Sequence, residues 1–145
     1  MIIIKAPQTR EDYKAYYHLR YQVLREPIGL VRGTEKDDYE PISQHFMAID
    51  SSNQEVVGVV KLFERTPGVG QFSHLAVSSA YQHQGVGKML LQTVESRAKE
   101  MGFATLGTMT RLNATSFYEK FGYRITGFTK SAPGRPTLTW MEKNL

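Results

Sequence analysis

Apolar positions along the chain change period several times, and each change marks an element. Tyr13, Tyr16, Tyr17, Arg20, Val23 and Leu24 recur at helical spacing and predict a helix with one apolar face. Thr9 followed by Asp12 has the spacing of a capping box, with Asp in place of the usual Glu or Gln, and Pro27 ends the pattern. From Glu26 to Ser43 the periodicity lapses for 18 residues that hold two prolines and two glycines. Stretches of that length without a pattern are uncommon in a compact domain and are often functional.

The period then falls to two. His45 to Ile49 reads as a strand, Ser51-Ser52-Asn53 turns the chain, and the valine-rich run Glu55 to Phe63 reads as the hairpin partner. Thr66-Pro67-Gly68 turns it again into a third strand, Gln71 to Val77. Val86, Leu90, Val94, Ala98 and Met101 form the strongest helical stripe, which Gly102 closes as a C′ residue. Ala104 to Thr110 predicts a strand. Asn113 is placed to cap a short helix that reaches Phe121 and stops at Gly122. Tyr123 to Phe128 and Thr137 to Met141 read as a closing strand pair around Ala132-Pro133-Gly134, and Met1 to Ile4 as an edge. No repeat or interdomain linker interrupts this order. The pattern predicts one domain over residues 1–145, of mixed α/β class, with a central sheet flanked by helices.

Composition narrows the chemistry. The chain has no cysteine, which excludes disulfides, thiolate metal sites and cysteine nucleophiles. No apolar run is long enough to span a membrane or to form a signal-peptide core, so the expectation is a cytoplasmic protein without a membrane partner. The net charge is +4 and the pI about 9.3. The segment Glu35–Glu40 holds four acids and one base, so the remainder of the chain, with 17 basic and 10 acidic residues, is more positive than the whole. A basic balance fits an anionic cofactor or a nucleic acid. No predicted helix carries a basic stripe, which argues against nucleic acid.

Between the third strand and the strongest helix lies Gln82-His83-Gln84-Gly85-Val86-Gly87-Lys88. Two glycines let the backbone approach a ligand closely, and the free N–H groups of a helix's first turn favour an anion. A nucleotide P-loop is excluded because Met89 follows Lys88 and no glycine stands five residues before Gly87. The dinucleotide fingerprint fails at Leu90, where its third glycine belongs.

Leu75-Ala76-Val77, then Tyr81, then Gln82-x-x-Gly85-x-Gly87 and the Leu90-Leu91 helix together resemble the acetyl-CoA motif of the GCN5-related N-acetyltransferases. Asn113-Ala114-x-x-Phe117-Tyr118-Glu119-Lys120-Phe121-Gly122-Tyr123 resembles that family's second conserved segment, in the family's order and spacing. The resemblance covers essentially the whole chain and implies the family's mixed, mostly antiparallel sheet. It implies acetyl-CoA as co-substrate, with no metal. Backbone groups of Leu75, Ala76 and Val77 would meet the pantetheine and the acetyl carbonyl. The amides of Gln82, Gln84, Gly85, Val86, Gly87 and Lys88 would cradle the pyrophosphate, Gln82 standing where arginine is frequent. Asn113 would contact the pantetheine or a phosphate, and Tyr118 would be the general acid that protonates the departing thiolate.

The family's usual base is missing. Gln71 and Ser73 occupy positions where family members often carry Glu or His. His74 sits on the same strand, but alternation points it to the opposite face unless a bulge intervenes. His45 is a second candidate. The implied activity is direct acetyl transfer to a primary amine, on a small molecule or a peptide, within a ternary complex. The alternative is an acyl-CoA-binding sensor without turnover. Glu35, Asp37 and Asp38 are the expected substrate residues, as a negative field that attracts protonated amines. Homodimers are common in the family and enter as one expectation for this chain.

Overall fold

The computed structural model describes residues 1–145, apart from the side chain of Phe128. Strands β1 (Ile2–Lys5), β2 (Gln44–Asp50), β3 (Glu55–Thr66), β4 (Val69–Val77), β5 (Thr105–Arg111), β6 (Arg124–Lys130) and β7 (Leu138–Asn144) form one sheet in the order β1-β2-β3-β4-β5-β7-β6. All neighbours are antiparallel except β4 and β5. The helices are α1 (Arg10–Leu24), α2 (Val86–Glu100) and α3 (Thr115–Glu119).

The capping box is formed as its spacing predicts: the Asp12 N–H donates to Thr9 Oγ1 at 3.0 Å, and the Thr9 N–H returns to Asp12 Oδ2 at 3.3 Å. Helix α1 ends at Leu24, and Pro27 lies beyond it in a short 3-10 turn. Helix α3 is shorter than the pattern suggests. It begins at Thr115 without a side-chain cap, and Asn113 lies before it in a 3-10 turn. The expected capping role of Asn113 is therefore replaced by a tight turn, in which Thr115 Oγ1 donates to the Leu112 carbonyl at 3.0 Å.

The two larger helices cover opposite faces of the sheet. On one face, Leu90, Leu91, Val94 and Ala98 of α2 pack on Val57, Leu62, Phe72, Leu106 and Met141. Each of these side chains larger than alanine contributes about 1.5–3 kcal/mol when fully buried. Gly58 sets the approach of α2: a Cβ there would stand 2.8 Å from Leu90 Cδ1 and 2.9 Å from Val86 Cγ1. On the other face, Tyr16 and Leu19 of α1 pack on Met47, Ile49, Val59 and Ala76.

Two irregularities shape the middle of the sheet. Strands β4 and β5 pair only over Val69↔Thr105, Gly70↔Leu106 and Gln71↔Gly107, then diverge. On its other edge β4 carries a bulge: Ser73 pairs with Lys61 and Ala76 with Val59, so His74 and Leu75 together oppose one residue. His74 takes up the extra length at φ 56.

Candidate active site

A cavity of about 620 Å³ occupies the divergence of β4 and β5. It runs from the end of α1 (Leu24, Arg25) past Gln71, Ser73, His74 and Leu75 to Ala114 and Tyr118 at the start of α3 and within it. From Phe72 onward β4 has no strand partner on the β5 side, so the backbone at Leu75–Val77 presents its unpaired edge to the gap. Sheet splitting is what makes backbone available here.

The Gln82–Lys88 turn lies beside the α3 side of this gap. Gly85, at φ 84, is the N-cap of α2 and has no side chain with which to cap it. The first helical bond is Met89 N–H to the Gly85 carbonyl at 3.0 Å, which leaves Val86, Gly87 and Lys88 without intrahelical acceptors. Gln82, Gln84, Gly85 and Lys88 are exposed, while the Val86 side chain is in the core. A Cβ on Gly87 would stand 3.4 Å from Phe117 Cζ and 3.8 Å from Val77 Cγ2, so the uncapped turn is seated between the end of β4 and α3. A 15-residue helix with open first-turn amides fits a pyrophosphate. Exposed Asn113 stands in the turn between β5 and α3.

Tyr118 is 7% exposed and packs edge-on among Phe117 and Tyr123 and tilted on Phe72, and its hydroxyl makes no hydrogen bond among the described residues. Burial pushes its ionisation well above the usual phenol range, so it carries its proton throughout the neutral range.

The bulge overturns the alternation expected for His74. Its ring lies on the α1 face, with Nε2 at 3.3 Å from Arg25 Nη2 and Nδ1 at 3.2 Å from Ser73 Oγ. A guanidinium can only donate, so Nε2 is the acceptor and Nδ1 carries the proton. Burial, then the charges of Arg20, Lys61 and Arg25, hold the ring neutral far below the ordinary histidine range. His45 is committed elsewhere: Nδ1 is 2.8 Å from the Tyr16 hydroxyl and Nε2 is 3.0 Å from the Glu40 carbonyl.

The long loop is structured by two cations buried under it. Arg20 and Lys61 are both 0% exposed. Arg20 Nη1 meets Glu40 Oε1 at 2.9 Å and donates to the Glu35 carbonyl at 3.0 Å. Lys61 Nζ donates to Asp37 and, at 3.1 Å, to Glu40 Oε2. Two of the four acids, Asp37 and Glu40, are therefore paired from below. Glu35 is buried, caps the Gly33 N–H at 2.7 Å and is not on the cavity wall. Asp37 and Asp38 do line the cavity, and Asp38 makes no hydrogen bond or ion pair among the described residues. A signal for this scaffold was present, since Arg20 falls in phase with the α1 apolar face and Lys61 sits inside a valine-rich strand.

Both the sequence and the fold are similar to those of known acetyltransferases. Residues 6–123 match the model of the Acetyltransferase (GNAT) family. The chain is 23% identical over 118 residues, 81% of its length and 82% of the relative's, to the uncharacterized N-acetyltransferase YjcF of Bacillus subtilis strain 168. It is 36% identical over 75 residues, 52% of its length, to 17% of an amino-acid acetyltransferase from Pseudomonas putida. The fold matches that of a Bacillus subtilis acetyltransferase solved in complex with CoA, with TM-score 0.77, 20% identity, and 100% and 99% of the two chains covered.

Proposed function

Since the chain belongs to the GNAT family and is an N-acetyltransferase, we propose that it moves the acetyl group of acetyl-CoA directly to a primary amine within a ternary complex. The observation that carries this reading is the cavity in the β4–β5 divergence. An uncapped helix start flanks it on the α3 side, and His74 reaches it from the α1 side. Both reactants can meet in the gap, and the chain has no cysteine to carry the acetyl group as an enzyme thioester.

The turn amides of Gln82–Lys88 hold the pyrophosphate. The open edge at Leu75, Ala76 and Val77 lines up the pantetheine, and an N–H on that edge stabilises negative charge as it builds on the thioester carbonyl oxygen. Asn113 steadies the pantetheine from the β5 side. Asp38, on the cavity wall, favours the approach of the cationic acceptor, which gives its ammonium proton to water, and His74 Nε2 takes the second proton as the nitrogen attacks the thioester. The C–N bond forms as the C–S bond breaks, Tyr118 gives its proton to the departing thiolate, and the proton that the new amide nitrogen left on His74 returns through water to the tyrosine.

Initial rates of thiol release, measured while acetyl-CoA and an amine are varied together, test the reading. Intersecting double-reciprocal lines are expected. Parallel lines would indicate an acetyl-enzyme, and CoA binding without thiol release from any amine would identify an acyl-CoA sensor.

A further inference from the structure

The acceptor end of the cavity carries more positive charge than its carboxylates, Asp37 and Asp38, can balance. Arg25, Arg111 and Arg135 all line it. They lie close enough for Arg111 and Arg135 to weaken Arg25's hold on its proton, after burial, which is the largest cause. None of the three forms an ion pair among the described residues. Arg25 Nε donates to the Thr34 carbonyl at 3.0 Å, and Arg111 Nη2 donates to the Leu24 carbonyl at 2.9 Å. These bonds fix the guanidinium planes and leave their charges uncompensated. The nearby acids offset this only in part: Asp37 and Glu40 are paired with Lys61 and Arg20, Glu35 acts on Arg25 less than the neighbouring arginines do, and Asp38 is a single exposed charge. Three like charges gathered around one cavity repel one another, and an anion held between them removes that repulsion.

We infer that the acceptor is an amine bearing an anionic group, a carboxylate or phosphate a few bonds from the nitrogen, which Arg25, Arg111 and Arg135 bind while the amine meets His74. This rests on the acetyltransferase reading above and names its substrate class. The 3.3 Å contact of Arg25 Nη2 with His74 Nε2 sets the spacing: the group that takes Arg25's charge and the group that takes the histidine lone pair must be neighbours in the substrate. In an α-amino acid the carboxylate and the amine are such neighbours. Arg135, the most exposed of the three, completes the anion site at the β6–β7 connection.

The test uses matched acceptor pairs with the intact protein: the free amino acids against their α-carboxamides, and O-phosphoethanolamine against ethanolamine. Acceptor binding to the CoA-loaded protein is followed by calorimetry, and turnover by thiol release. At least one anionic member is expected to bind and react at least 10-fold better than its neutral partner. A carboxamide loses its ammonium proton more readily than the free acid, so intrinsic reactivity opposes this preference. Arg135→Gln and Arg111→Gln should each raise the KM for the anionic acceptor by roughly 10–100-fold, the worth of a charge-assisted hydrogen bond, and leave the neutral partner unmoved. The pair that shows the preference tells carboxylate from phosphate. Selective binding of an anionic acceptor without thiol release upholds this inference and overturns the catalytic reading. Equal or better use of the neutral partners, or no binding by any member of the panel, overturns the inference. So does a loss of CoA affinity in both arginine variants with the acceptor KM unchanged, because the arginines would then serve the cofactor's phosphates.

Discussion

Arg20 and Glu40 meet at 2.9 Å beneath the long loop, and the guanidinium is wholly buried. Burial by itself would raise the Glu40 ionisation, but the charge and hydrogen bond of Arg20, the Asp37 N–H and Lys61 together bring it down to about 2. A carboxylate whose folded value is depressed contributes stability that is complete above its ordinary range. That contribution is lost as pH falls from about 4.5 toward 2. Urea unfolding across that window should therefore show a stability that declines with acidity. Glu40→Gln should cost about 3–5 kcal/mol at neutral pH, because it leaves two buried cations short of a partner. It should also flatten the acid dependence. A variant of unchanged stability would show that the loop is held by other contacts.

Tyr118→Phe removes one hydroxyl from a site where that hydroxyl holds no structural bond among the described residues. Fold stability and acetyl-CoA affinity should stay near those of the parent. kcat should fall by roughly 10²–10⁴-fold, the usual worth of acid–base assistance. Single-turnover rates separate this from slow product release, and an unchanged chemical step would return Tyr118 to a packing role.

Gly87→Asp separates folding from binding. A negative side chain in the first turn of α2 suits the helix dipole, and Phe117 Cζ at 3.4 Å is within reach of a small adjustment. Thermal stability should hold or rise slightly. The same charge repels a pyrophosphate, so calorimetric affinity for CoA should fall by at least 10-fold, and undiminished affinity would remove the turn from the cofactor site.

His74 should stay unprotonated well below the ordinary histidine range, because burial and then Arg20, Lys61 and Arg25 oppose its charged form. Protonation of this ring therefore does not switch the reaction off near pH 6.5. Its acid limb in kcat/KM should appear only at distinctly lower pH. His74→Gln keeps an acceptor for Arg25 but cannot take a proton. kcat should fall by roughly 10²-fold or more with that limb abolished. An acid limb that survives in the variant would assign the base elsewhere.

Local rules were sufficient for much of this protein. The Thr9–Asp12 box, the α2 stripe and the strand-turn-strand runs from His45 to Val77 depend on residues close in sequence, where period and turn chemistry act directly. The glycine turn and the Tyr118 segment entered through a family resemblance, which short contiguous motifs can carry. Tertiary structure decided what depends on the relation between strands. The early end of β4–β5 pairing opens the cavity, and no single strand encodes where its neighbour departs. The β4 bulge turned His74 to the face that alternation denied it, since register is set by pairing with β3. Arg20 and Lys61 each stand as one charge in an apolar pattern. Only their convergence under the loop turned part of an acidic cluster into a neutralised scaffold. The arginines at 25, 111 and 135 come from the end of α1, the end of β5 and the β6–β7 connection. Their meeting at one cavity is a product of the folded chain, because electrostatic interaction follows distance in space and not position in sequence.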